Sequence, residues 1–158
     1  MAEAAVIGAL LISHDAFEDV ANDLLLDDFD DIFHRRVFKS ISDMRRRNPN
    51  QVTDMLTVSN YIRPEHNETD SEIFIKICEI AKNSFSPDNI KAYAEIVKQE
   101  SNKRKTLSLF QYTTQKISND DKDYMDYVRK GFNDIENNVP FIIKTFAEIL
   151  NEVVQKME

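Results

Sequence analysis

Residues 84–107, SFSPDNIKAYAEIVKQESNKRKTL, open as a well-marked helix and then lose their apolar face. Ser86 is a favourable N-cap, and Pro87 suits the first helical position, where its missing amide proton would have had no partner. Ile90, Tyr93, Ala94 and Val97 follow at the i, i+3, i+4, i+7 spacing of a buried stripe, but from Lys98 to Thr106 no large apolar side chain occurs. The stripe resumes with Leu107, Phe110, Thr114 and Ile117, giving a helix with two apolar ends and a polar waist. From Pro87 to Ile117 such a helix spans ~45 Å, longer than a small helical head needs, so its second half is expected to leave the head. SNDDKD, from Ser118 to Asp123, breaks it, and a helix over roughly Asp121 to Asn137 returns with Tyr124, Tyr127, Val128 and Phe132, the pattern of an αα-hairpin. Two helices alone bury too little to be stable. The face made of Leu107, Phe110, Thr114, Ile117, Tyr124, Tyr127 and Phe132 is therefore expected to meet another chain, most simply a second copy, as an oligomerisation arm.

Upstream, the chain reads as further helices. AEAAVIGALLIS places Val6, Ile7, Leu10 and Leu11 on one face, with Gly8 where a neighbour comes close. Asp15 and Glu18 are spaced as a cap pair before a helix carrying Phe17, Val20 and Leu24, and the acidic DDFDD that follows reads as a solvated loop. Ile32 to Arg47 forms a helix with Phe33, Val37, Ile41 and Met44 inward and Arg35, Lys39 and Arg46 outward; its terminal Arg45–Arg47 run suits the helix dipole, with a phosphate or acidic-partner site as the alternative reading. Asp54 caps a helix bearing Leu56, Val58, Tyr61 and Ile62, which ends before Pro64. Thr69 and Glu72 form a capping box for a helix over about Ser71 to Lys82 with Phe74, Ile77, Cys78 and Ala81 on one stripe, making Cys78 a buried small apolar group rather than a nucleophile. After Pro140, FIIKTFAEILNEVVQKME carries Ile142, Phe146, Ile149, Leu150, Val153 and Met157 on a wide apolar stripe suited to covering a hydrophobic groove.

Composition agrees with an all-α chain: 158 residues contain 2 Gly, 4 Pro and no Trp, with 42% hydrophobic residues. The expected organisation is a compact helical head (1–98), a helical hairpin (99–138) and a C-terminal linker helix (139–158). A net charge of −8, from 20 basic and 28 acidic residues, argues against tight binding of nucleic acid. A lone cysteine excludes an internal disulfide, and no apolar run is long enough for a signal peptide or a membrane span, so a cytoplasmic location is expected.

Catalytic signatures are missing. With glycine only at positions 8 and 131, neither a phosphate-cradling P-loop nor a dinucleotide fingerprint can be built. His14, His34 and His66 are scattered, no cysteine pair exists, and no Glu-x-x-His repeat marks a bundle metal site. His34 reads as a core-edge histidine with a satisfied hydrogen bond.

Four segments in register carry a resemblance: EAAVIGALL (Glu3 to Leu11), DF before HRRVF (Asp28 to Phe38), TDMLTV (Thr53 to Val58) and NSFSPDNIKAYAEIV (Asn83 to Val97). Together they resemble the N-terminal domain of DnaB-type replicative helicases, at Glu3, Ala5, Gly8, Phe29, His34, Phe38, Asp54, Asn83, Ser86, Asn89, Tyr93, Ile96 and Arg104 among others. Asp30 replaces an aromatic usual after DF, and EHNETDSE replaces a glycine-containing loop. The resemblance implies a non-catalytic scaffold segment, whose hairpins pair into homodimers and, as a trimer of dimers, form the collar of a hexamer where primase or a helicase loader docks. It places ATP and Mg in a motor domain expected beyond Glu158, with Phe141 to Met157 as the linker packing on it. The alternative is a free-standing phage or mobile-element regulator that binds a host replicative helicase through the same surface.

Overall fold

The computed structural model describes residues 1–65, 67–82, 86–119 and 122–136. The elements are α1 (Ala2–Ile12), α2 (Ala16–Val20), a 3-10 turn (Leu26–Asp28), α3 (Ile32–Arg47), α4 (Met55–Tyr61), α5 (Asp70–Lys82), a second 3-10 turn (Pro87–Asn89), α6 (Ile90–Ser118) and α7 (Tyr124–Glu136). Among the described residues there is no strand, and the chain is all-α. The linker-helix residues Ile142, Phe146, Ile149, Leu150, Val153 and Met157 lie outside the described residues. Two compact units result, Met1–Ser101 and a second beginning at Asn102, and α6 runs through the boundary.

In the first unit α1 is the central element. It packs against α2, α3, α4, α5 and the Pro87–Asn89 turn. Every residue from Ala5 to Leu11 is buried, Gly8 included, so the single inward face expected from its sequence is replaced by burial all round. A helix with neighbours on every side keeps no polar face, and AAVIGALL has none to offer.

The cap chemistry follows the sequence closely where short polar side chains meet free amides. Asp54 accepts from the Thr57 amide at 2.8 Å, and Thr69 and Glu72 exchange bonds in both directions (2.7 and 3.2 Å). At α2 the expected cap pair does not form: Asp15 makes no side-chain cap bond and the Glu18 carboxylate pairs with Arg45 at 2.8 Å. Leu24 is buried but lies beyond α2.

α3 keeps its expected bounds and buries Val37, Phe38, Ile41 and Met44, with Phe33 packed at the core edge. Phe38 stacks on Phe29 with ring centroids 4.7 Å apart. α5 is rotated relative to expectation. Ile73, Ile77 and Ala81 face inward, whereas Phe74 is 40% exposed and Cys78 is half-buried. The segment IFIKICEI is apolar at so many positions that periodicity alone does not select a phase, and packing on α1 and α4 does. Leu56, expected inward on α4, is 58% exposed. Asn67 takes a left-handed backbone (φ 63°), a conformation short polar side chains tolerate, in the loop that lacks a glycine.

In the second unit the distal half of α6 packs on α7. Leu109 and Ile135 are buried, and Gly131 sits so close to Leu109 that a Cβ there would collide with its side chain. The rings of Phe110 and Phe132 meet edge to face with centroids 6.5 Å apart, and those of Tyr112 and Tyr127 meet at a tilt of 40° with centroids 4.3 Å apart.

Candidate functional site

One face of the polar waist of α6 is buried rather than solvated. Ser101 is fully buried and donates to Asp28 Oδ1 at 2.7 Å, while Lys98 Nζ reaches Asp28 Oδ2 at 3.1 Å and the Asp23 carbonyl at 3.0 Å. Asp28 Oδ2 also accepts from the Leu25 amide at 2.9 Å. Asp28 is itself 0% exposed, so DDFDD is not wholly the solvated loop expected: one of its four carboxylates is a buried anchor for α6. A buried carboxylate is tolerable only with such a set of partners. The signal was present in the helical phase, since Ser101 continues the buried series Ile90, Ala94 and Val97 at four- and three-residue steps.

A second polar joint holds the start of α3 to α1. Glu3 accepts from the amides of Asp30 (2.7 Å) and Asp31 (3.2 Å) and lies 3.0 Å from His34 Nδ1. Asp31 in turn caps α3 through the His34 amide at 2.9 Å. The substitution of Asp30 for an aromatic therefore leaves intact a contact made by its backbone. His34, with one ring nitrogen satisfied in this way, is a positioning residue between α1 and α3.

Arg45 differs from the helix-end charge expected. Its side chain is 4% exposed, bonds Glu18 at 2.8 Å, contacts His14 Nδ1 at 2.8 Å and lies over the Phe17 ring. Only Arg46 and Arg47 of the run are exposed. Elsewhere Arg36 and Lys76 both bond Glu68 (2.9 and 2.8 Å), and the hydrogen bonds from Lys76 and Arg36 hold the Glu68 carboxyl down to about 2.

The hairpin residues singled out in the sequence divide into two groups. Phe132 and Phe110 touch each other, and Tyr127 pairs with Tyr112, so part of the expected intermolecular face is used inside the hairpin. Leu107 (62% exposed), Ile117 (54%), Phe110 (39%) and Tyr127 (37%) retain open apolar surface; Thr114 is exposed, and Tyr124 is half-buried. Leu107, Phe110, Thr114 and Ile117 follow one another at three- and four-residue steps along α6, the spacing of a helix–helix seam. The sequence missed Leu109, Gly131 and Ile135 as the internal seam. Only Gly131, the lone glycine of the second half, marked a close approach.

Among the described residues no group of three or more metal-ligating side chains occurs, and no helix is long and apolar enough to cross a membrane. The described residues present an exposed apolar seam on the hairpin and charged clefts on the first unit.

Residues 1–99 match the family described as the DnaB-like helicase N terminal domain. The chain is 28% identical over 109 residues to the replicative DNA helicase DnaB of Haemophilus influenzae, covering 68% of this chain and 23% of that protein. It is 28% identical over 108 residues to the corresponding helicase of Pasteurella multocida, with the same coverage. It thus spans about a quarter of the length of these relatives. The fold is similar to the crystal structure of the N-terminal domain of DnaB helicase from Mycobacterium tuberculosis, with a TM-score of 0.72 and 23% identity over 84% of this chain and 94% of that one.

Proposed function

The chain belongs to the DnaB-like helicase N-terminal domain family, and from that membership we propose that it is the non-catalytic scaffold segment of a replicative DNA helicase. Its hairpin pairs with that of a second copy, three such pairs form the collar of a hexamer, and the collar receives primase or a helicase loader. ATP and Mg belong, on this reading, to the motor portion of the protein. The observation that carries the pairing is the exposed α6 seam of Leu107, Phe110 and Ile117, left open on a hairpin whose inner face is already filled by Leu109 and Ile135. Apolar burial contributes roughly 25 cal/mol per Å², so joining two such seams is favourable. A net charge of −8 supports a scaffold that meets proteins rather than one that grips DNA.

Light scattering after size exclusion tests the pairing. Phe110→Asp is an ambiguous probe because Phe110 also packs on Phe132. Leu107→Asp and Ile117→Asp alter only the more exposed positions, and the isolated charge each would bury at the seam opposes association. The wild type is expected as a dimer or larger at micromolar concentration, and each variant as a monomer with unchanged helical circular dichroism. A wild type that stays monomeric at high concentration, or variants that stay associated, would refute pairing through this face.

A further inference from the structure

On the first unit, a cleft of about 550 Å³ opens between α3 and α4. Arg36, Lys39, Arg47 and Arg63 line it against only Asp43 and Glu65, an excess of two positive charges on a chain whose net charge is −8. The cations are unequal in how they are held. Arg36, 18% exposed, is fixed by bonds to Glu68 and to the Arg63 carbonyl (both 2.9 Å) and lies over the Phe33 ring. Lys39 is matched by Asp43 at 2.6 Å. Arg47 stacks on Tyr61 at 5.6 Å, and among the described residues neither Arg47 nor Arg63 has a carboxylate partner. Glu65, 61% exposed, reaches Arg36 Nε only at 3.5 Å, a loose contact that an incoming carboxylate can displace.

We propose that this cleft is a docking site for an acidic peptide segment of a partner protein. A guanidinium offers parallel N–H donors that match a carboxylate, and the cleft already draws in carboxylates, Asp43 to the Lys39 ammonium and Glu65, loosely, to Arg36. A short acidic segment confines its charge to the cleft. A nucleic acid strand long enough to leave the cleft carries its phosphates onto the rest of a chain whose net charge is −8, which disfavours it. The exposed arginines, Arg47 over the Tyr61 ring and Arg63, supply the attraction; Arg36 sets the cleft wall. The inference stands apart from hairpin pairing, and its test is read on a pairing-defective variant as well as on the wild type.

Fluorescence anisotropy of a labelled peptide of alternating Glu and Ala, titrated with the full chain at low salt, gives the measurement. An alternating Lys and Ala peptide and an oligothymidylate of equal charge serve as the other probes. Arg47→Gln and Arg63→Gln are each expected to weaken the acidic peptide about tenfold, the loss of one charge-assisted bond. Glu65→Gln is expected to tighten it. Equal binding by wild type and the two arginine variants overturns the proposal. Tighter binding of the oligothymidylate than of the acidic peptide overturns it in favour of nucleic acid.

Discussion

Asp28 shows how one residue settles the course of a long helix. Its carboxylate is inaccessible to water and takes bonds from Ser101, Lys98 and the Leu25 amide. Asp28→Ala removes the acceptor and leaves a buried hydroxyl and a partly buried ammonium without it, at an expected loss of about 2–4 kcal/mol in denaturant unfolding of the first unit. Ser101→Ala, which leaves Lys98 and the amide in place, is expected to lose only about 1 kcal/mol. Equal stability of Asp28→Ala and wild type would show that the buried joint contributes nothing. The sequence disclosed the composition of this joint but not its pairing. The local bond to the Leu25 amide does not reveal that Asp28 is the buried one of the four acidic residues, because its partner Ser101 lies 73 residues away. Arg45 is a parallel case: a run of three arginines reads as a dipole-favoured terminus, and only the tertiary positions of Glu18 and Phe17 make one of them a buried group.

At the level of elements, caps and bounds were legible because they rest on contacts within three or four residues. Asp54 with Thr57, Thr69 with Glu72, and the limits of α3 all follow the sequence. The phase of α5 and the all-round burial of α1 were not, since both segments are apolar at more positions than one face requires, and the neighbours choose among them. The hairpin was legible as two helices and a break, whereas its inner seam depends on which faces meet. Gly131 is the decisive position there, with no room beside Leu109 for a side chain. Gly131→Val is expected to push the two helices apart at a cost of about 1–3 kcal/mol. Hydrogen exchange checks this: faster exchange should be confined to α7 and the distal half of α6, and uniform protection in the variant would contradict the close approach.

For the whole molecule, family and fold were readable from four motifs in register, all of them in the first unit, and the family match likewise ends at residue 99. That unit has its own core, running from Val6 to Val97. A fragment of residues 1–105, which keeps Ser101 and its bond to Asp28, is expected to fold as a monomer with a single cooperative thermal transition. A fragment that melts gradually would show that the first core depends on the second unit. The enclosure of α1 has a further consequence for the making of the protein. Ribosomal synthesis delivers this water-avoiding segment before α3, α5 and the Pro87–Asn89 turn that wrap it. At about 5–20 residues per second, α1 waits several seconds for its last covering strip, exposed to any chaperone or to another nascent chain in the meantime.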